Sequence, residues 1–143
     1  PEVALVYGPF SLQGEYFHAF TSGEGSQFWG YYVYGSLFLT GEHRNYSPSQ
    51  GIFSKVTPKR GFAPFKGAWG AWEAGVRYAY VDFNDWSIRG GQEGNFTAGL
   101  NWYLKWNIRL MLNYIYARVH DREDPLIDDG DANIFQARFQ IHF

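Results

Sequence analysis

The chain has 143 residues, enough for one ordinary domain, and a formal net charge of −2 that by itself points to no class of partner. It is 21% aromatic, only 18% charged and free of cysteine, which excludes disulfides and Cys-ligated metal sites. No run of about 18 apolar residues occurs, so a transmembrane helix is excluded and a β-barrel is the remaining way to span a bilayer.

Seven segments alternate apolar and polar side chains with a period of two, which predicts β-strands. We place these strands at residues 2–7, 10–20, 28–41, 70–82, 95–105, 107–119 and 135–143. Strands of about ten residues with one apolar face match the length that a tilted strand needs to cross a bilayer. The sequence therefore predicts an all-β, antiparallel membrane sheet.

The connections differ in length. Residues 8–9 and 105–107 form tight turns, whereas 21–27, 84–94 and 120–132 are predicted loops. Short turns at one end of the strands and longer loops at the other are typical of outer-membrane barrels, in which the short turns face the periplasm.

The last nine residues show the alternation most clearly. Phe135, Ala137, Phe139, Ile141 and Phe143 share one face, and Gln136, Arg138, Gln140 and His142 share the other. One face suits lipid and the other can line water. This strand resembles the final strand of bacterial outer-membrane β-barrels, which typically ends in Phe.

The exception to the pattern of connections is residues 42–69, which we call the basic segment. It lies on the side of the short turns, although it contains 28 residues and three prolines. Its cations are Arg44, Lys55, Lys59, Arg60 and Lys66, against the single acid Glu42. Long loops of this kind are usually functional or disordered. From the residues alone, a segment folded into a barrel lumen and a solvated periplasmic loop both stay open.

Two other architectures fit the same residues. A soluble β-domain would bury the outward Trp and Tyr side chains in one core. A closed barrel of eight strands, with residues 51–56 as the extra strand, would be filled by side chains and conduct nothing.

Catalytic and metal-binding patterns are weak. The four histidines are not spaced as a ligand set, no Gly-x-Ser-x-Gly motif occurs, and Asp128 to Asp131 lacks the remaining ligands of a calcium loop. We therefore expect neither an enzyme nor a cofactor.

Several stretches carry a family resemblance. They are Phe38-Leu39-Thr40-Gly41-Glu42, Tyr46, Gly51-Ile52-Phe53, Lys55-Val56-Thr57-Pro58-Lys59, Trp72-Glu73-Ala74, Arg77-Tyr78, Asp82-Phe83-Asn84-Asp85, Ile88-Arg89-Gly90-Gly91, Gly99-Leu100-Asn101-Trp102-Tyr103, Asn107-Ile108-Arg109 and Asn113-Tyr114. From about residue 28 to the end, the chain resembles the phosphate-selective porins O and P of Gram-negative outer membranes.

The resemblance implies a 16-stranded barrel, of which residues 1–143 are the last seven strands and part of a single porin domain. It also implies a homotrimer in the outer membrane, in contact with lipid and lipopolysaccharide and without nucleic acid as a partner. The basic segment would fold inward and contribute lysines to an anion path.

The expected function is passive diffusion of small anions, most simply phosphate or polyphosphate; a general porin or a closed structural barrel are the alternatives. The candidate anion-path residues are Lys55, Lys59, Arg60 and Arg44 on the basic segment, with Arg77, Arg109 and Arg138 on inward strand faces. For each strand arginine, the competing interpretation is a lumen salt bridge, for example between Arg77 and Glu73.

Overall fold

A single antiparallel sheet dominates the computed structural model, which describes residues 1–21, 25–47, 49, 51–86, 88–122 and 129–142. In chain order the strands are β1 Glu2–Tyr7, β2 Phe10–Phe20, β3 Gln27–Phe38, β4 Tyr46–Ser47, β5 Ile52–Phe53, β6 Ala71–Asp85, β7 Ile88–Lys105, β8 Ile108–Arg122 and β9 Gly130–Ile141. The sheet has the order β1-β2-β3-β6-β7-β8-β9, so its seven strands pair in chain order, and the separate β4–β5 hairpin lies in the connection from β3 to β6. The predicted all-β, antiparallel fold with seven long strands is confirmed, and this meander is the strand order of an outer-membrane barrel wall.

The register of the strands separates the sheet into two faces, because directly paired residues point to the same side. One row across the sheet consists of Ser36, Gly75, Gly99, Asn113 and Gln136, and the adjacent row on the opposite side consists of Gly35, Val76, Ala98, Tyr114 and Phe135. We call the side of the first row the polar face and the side of the second row the apolar face. The two faces predicted for the last strand follow this division over its described paired residues, 135–141.

The apolar face is open to its surroundings. Phe135 is 80% exposed, Phe139 is 63% exposed and Val76 is 51% exposed. A soluble β-domain would have buried such side chains in one core, so that alternative is wrong for the described residues. The eight-stranded alternative is wrong as well, because β5 pairs only with β4 and does not join the large sheet.

The loop predicted at residues 84–94 is instead a hairpin. Strand β6 runs to Asp85 and β7 starts at Ile88, with pairing that continues through Asp82 and Gln92. The three glycines between residues 90 and 94 suggested a loop, but Asn84 holds the irregular pairing there. Its side-chain oxygen accepts a hydrogen bond from the Gly91 amide at 2.9 Å, and Gly91 has a φ of +86°.

The loop predicted at residues 120–132 is shortened in the same way, since β8 extends to Arg122 and β9 begins at Gly130. Phe143 and the acidic residues Glu123, Asp124 and Asp128 lie outside the described residues. With strands of 15 and 18 residues, rising about 3.3 Å per residue, β6 and β7 are longer than a bilayer crossing requires.

The third predicted strand ends early, at Phe38 rather than at residue 41. Past this point Gly41 takes a φ of +81°, and the Thr40 hydroxyl replaces a backbone partner by accepting the Trp72 amide at 3.0 Å. The chain then enters the basic segment, which contains the β4–β5 hairpin and a single 3-10 turn, Pro64–Lys66. In the part of the chain that the structure describes, no helix has the length and apolarity required to cross a membrane.

A small core lies where the basic segment meets the sheet. Phe38, Ala71 and Tyr103 are buried together on the polar side, and Val56 of the basic segment packs against them. Among the described residues, the large buried side chains Phe38, Glu73 and Tyr103 lie where this segment meets the sheet.

Candidate functional site

Glu73 is the centre of the polar contacts on the polar face, and its side chain is completely buried. Its Oε1 accepts hydrogen bonds from Ser36 Oγ at 2.7 Å and from Arg44 Nε at 2.8 Å, and Arg44 Nη2 lies 2.7 Å away. Its Oε2 accepts from Asn101 Nδ2 at 3.0 Å and from the Tyr103 hydroxyl at 2.8 Å. A buried carboxylate is tolerated only when it is paired and its oxygens are hydrogen-bonded. Both conditions are met here, so Glu73 is a fixed negative charge in the wall.

Arg44 connects the basic segment to the Glu73 carboxylate through an ion pair. Its guanidinium lies over the rings of Tyr34 and Phe53, 5.7 Å and 5.5 Å from their centres. Burial disfavours the charged form of Arg44, but the Glu73 carboxylate outweighs this effect and raises the pKa of the guanidinium above its usual value. Arg44 therefore stays charged, and its charge is matched by Glu73.

A second buried carboxylate closes the basic segment on itself. Glu42 is 5% exposed, and its Oε1 accepts the backbone amide of Lys59 at 3.1 Å while its Oε2 accepts the Thr40 hydroxyl. The Lys59 ammonium donates to the Gly41 carbonyl at 2.6 Å. Lys59 thus has a structural contact that sequence inspection did not suggest.

The far end of the basic segment crosses to the apolar face. The Phe62 amide donates to the Leu104 carbonyl at 2.6 Å, and its ring meets Trp102 with ring centres 5.3 Å apart. Trp102 stacks on Trp72 at 4.8 Å and donates its indole N–H to the Trp69 carbonyl at 2.6 Å. The segment is therefore fixed at both ends, by Arg44 on the polar face and by aromatic contacts on the apolar face.

Between the basic segment and the wall lies a cleft of about 250 Å³. The cations that line it are Arg44 and Lys55 from the segment and Lys105 and Arg109 from the β7–β8 hairpin. Gln140 and His142 line it from the β9 side. Among the described residues that line it, none is a carboxylate. Even with Arg44 paired to Glu73, the described lining of the cleft therefore carries a net positive charge.

Arg109 is held in this cleft by neutral partners. Its Nη2 donates to Gln140 Oε1 at 2.7 Å, its Nη1 approaches the Tyr103 hydroxyl at 3.4 Å, and its guanidinium lies 5.4 Å from the centre of the Tyr103 ring. Lys55 is exposed and has no hydrogen-bond or ion-pair partner among the described residues. Arg109 is thus oriented by neutral groups, and Lys55 has no described partner. Neither cation is neutralised by a described carboxylate.

The other predicted cations lie elsewhere. The Arg77 guanidinium sits 4.9 Å from the centre of the Tyr32 ring on the polar face, and the predicted pairing of Arg77 with Glu73 is replaced by that of Arg44. Arg138 is exposed on β9, opposite Met111 and in the row that contains Glu73. Arg60 is exposed beside Lys59. Of the seven predicted cations, the cleft thus brings together Arg44, Lys55 and Arg109.

Sequence inspection missed Lys105 as a cleft residue and Glu73 as a central one. The sequence places Lys105 at a tight turn; in the structure it is the last residue of β7, follows the register shift after Tyr103 and lines the cleft with Arg109. For Glu73 a signal was present. The alternation of β6 puts a lone carboxylate inward, directly opposite Asn101.

The sheet is antiparallel and up-and-down. Its apolar face is exposed, and its polar face carries cations beneath the basic segment. These features define part of a membrane-spanning β-barrel of the porin class. A sequence model of the family described as "Phosphate-selective porin O and P" matches residues 1–143, so the chain belongs to that family. The match includes β1 and β2, which lie before the stretches that carried the resemblance.

Two curated relatives match almost the whole chain. An uncharacterized protein of Caulobacter vibrioides is 35% identical over 147 residues, covering 99% of this chain and 29% of the relative. Porin O of Pseudomonas aeruginosa is 28% identical over 156 residues, covering 99% of this chain and 34% of the relative. The chain thus spans about a third of the length of these relatives.

Proposed function

We propose that the protein to which this chain belongs is an outer-membrane porin that passively conducts small anions, with phosphate as the preferred anion. The observation that carries the proposal is the cleft, in which Lys55 and Arg109 face a common space that no described carboxylate lines. Family membership and the name of the Pseudomonas aeruginosa relative, Porin O, support the porin class.

The chemistry of the two cations suits phosphate. Arg109 offers a planar fork of donors that matches two phosphate oxygens, and Lys55 offers a mobile point charge. One unit charge attracts another at 4 Å by about 1 kcal/mol in water and about 4 kcal/mol at an effective dielectric constant of 20. An open cleft lies towards the lower value, so an anion is concentrated there and still leaves readily, as conduction requires.

The remaining cations extend this path along the wall. Arg138 and Arg77 lie on the polar face away from the cleft, and Arg60 lies on the exposed surface of the basic segment. Several weak sites in succession allow an anion to move from one to the next. Arg44 and Lys59 contribute to this path mainly by holding the segment in place, since Arg44 is paired with Glu73 and Lys59 with the Gly41 carbonyl.

The proposed location is the outer membrane of a Gram-negative bacterium, and the proposed assembly is the homotrimer that the family resemblance implies. The exposed apolar face supports contact with lipid and lipopolysaccharide, because Phe and Leu side chains cover it. Trp72 and Trp102 lie on this face near the end that holds the β7–β8 turn. We take the end that holds the β1–β2 and β7–β8 turns as periplasmic, which places the basic segment on that side.

The direct test is conductance of the full-length protein in planar bilayers. In a potassium chloride gradient, the reversal potential should lie close to the chloride equilibrium potential. Phosphate added at a low concentration should then block the chloride current, because it occupies the same cations and leaves more slowly. A cation-selective channel, or failure to form channels, would refute the proposal. An anion-selective channel without phosphate block would leave a general anion porin.

A further inference from the structure

We propose that Glu73 is a positioning residue, which holds the basic segment against the wall through Arg44 and thereby keeps Lys55 in the cleft. The consequence for conduction rests on the proposed function, whereas the consequence for the position of the segment does not.

Arg44 supplies the polar attachment between the wall and the first half of the basic segment. Among the described residues from 42 to 56, the hydrogen bonds to the strands of the sheet all come from the Arg44 guanidinium, to Glu73 and Tyr34. Val56 adds an apolar contact with Phe38, Ala71 and Tyr103. The other hydrogen bonds of the described residues in this range stay within the segment or, for Glu42, reach the adjacent Thr40, so the Arg44–Glu73 pair and the Val56 contact hold this stretch on the polar face.

Arg44 and Lys55 are 11 positions apart in the chain, but one backbone hydrogen bond between their neighbours links them. The Ser54 amide donates to the Asn45 carbonyl at 2.7 Å, and this bond closes the base of the β4–β5 hairpin. Arg44 precedes one end of that bond and Lys55 follows the other. Fixing Arg44 therefore fixes Lys55 beside it.

The charge of Glu73 is what makes this attachment strong. Ser36, Asn101 and Tyr103, which all belong to the sheet, hold the carboxylate in place independently of Arg44. Replacing Glu73 by a neutral residue leaves a guanidinium that is only 18% exposed without its counter-charge, which is unfavourable. Arg44 is then released into water, and the hairpin moves with it.

Summed charge and segment positioning predict opposite effects of neutralising Glu73 on phosphate binding. Removing a negative charge from the wall of an anion path should improve anion binding if only the summed charge matters. If Glu73 positions the segment, its neutralisation should weaken phosphate binding because Lys55 leaves the cleft.

The test measures the position of the segment in spin-labelled full-length protein, and the phosphate block in the same variants without cysteines or labels, because Ser54 lines the cleft. Spin labels are attached at Ser54→Cys on the segment and Gln136→Cys on the polar face of β9, in a background without other cysteines, and the distance distribution is recorded by pulsed electron paramagnetic resonance. The variant is Glu73→Gln, and the matched control is Glu93→Gln. Glu93 is a half-buried carboxylate on the same face, whose described contact is with Asn95 and not with the segment.

We expect a narrow distance distribution in the unmodified protein and in Glu93→Gln, and a broadened or shifted distribution in Glu73→Gln. The phosphate concentration for half block should rise about tenfold in Glu73→Gln, because the attraction of a nearby unit charge is lost, and should stay within about twofold of the unmodified value in Glu93→Gln. If Glu73→Gln does not assemble into barrels, Arg44→Gln removes the same attachment from the segment side and should give the same broadening.

An unchanged distance distribution in Glu73→Gln or Arg44→Gln would overturn the inference, even if the block weakened. Broadening together with weaker block supports it. If the distribution broadens but the unmodified protein shows no anion selectivity, the positioning role is supported and the proposed function is refuted.

Discussion

Replacing Tyr103 by Phe removes one hydroxyl group from the centre of the polar contacts. That hydroxyl donates to Glu73 Oε2 at 2.8 Å and lies 3.4 Å from Arg109 Nη1, while the ring itself packs with Phe38 at 5.9 Å between ring centres. A hydrogen bond to a charged group contributes about 1.5–3 kcal/mol. Asn101 still serves the same carboxylate oxygen at 3.0 Å, and the ring contacts remain. We therefore expect Tyr103→Phe to lower the free energy of unfolding by about 2 kcal/mol.

The assay is urea unfolding of the full-length protein from lipid vesicles, followed by tryptophan fluorescence. A loss of about 2 kcal/mol corresponds to a change of about 30-fold in the equilibrium constant, well above the error of the method. Tyr116→Phe is the matched control, because Tyr116 lies on the apolar face and is 38% exposed; its effect should stay within about 0.5 kcal/mol. If Tyr103→Phe behaves like Tyr116→Phe, Glu73 does not depend on this hydroxyl.

Two other substitutions test how the basic segment and the β6–β7 hairpin are held. Gly70 has a φ of +73°, and a Cβ there would overlap the Tyr103 carbonyl oxygen. Gly70→Ala should therefore lower the free energy of unfolding by at least about 2 kcal/mol. The control Gly67→Ala, at a residue with a φ of +67° and open space around it, should lower it by only about 1 kcal/mol in the same assay. Equal losses for the two glycines would show that the contact with Tyr103 is not limiting. Asn84→Ala removes the acceptor of the Gly91 amide and should speed hydrogen exchange at Gly91 about tenfold or more. Exchange at Gly99 on the same strand should stay constant. Unchanged exchange at Gly91 would contradict the role of Asn84 in the irregular pairing.

The sequence predicts the membrane sheet well because alternation is a local property. In β9, Phe135, Phe139 and Ile141 fall on one side and Arg138 and Gln140 on the other, as the pattern required. Each strand of the sheet carries its own copy of this signal, so errors in one strand do not affect the next. The lone inward acid of β6 could have been found by the same reasoning.

The hairpin between β6 and β7 could not be predicted in this way. Glycines between residues 90 and 94 weaken the strand signal, and the pairing is restored by contacts with partners that are distant in sequence, such as Arg122 opposite Gly90. The pairing of strands decides this region, and local propensity does not.

The partners of the cations are unpredictable for a similar reason. Glu73 has Arg77 four residues away on its own strand, which made that pair plausible, yet it binds Arg44 from 29 residues away. The path of an irregular segment of 28 residues is set by tertiary contacts such as Val56 with Tyr103. No periodicity in the sequence encodes those contacts.

The central claim is that the cleft under the basic segment binds the conducted anion. The most direct test compares phosphate block of chloride current in Lys55→Gln with that in Lys66→Gln, in the full-length protein. Lys66 carries the same charge on the same segment but lies in the exposed 3-10 turn, outside the cleft. We predict that Lys55→Gln raises the half-blocking phosphate concentration about tenfold and that Lys66→Gln leaves it nearly unchanged. Equal effects of the two substitutions, or none from Lys55→Gln, would contradict the claim.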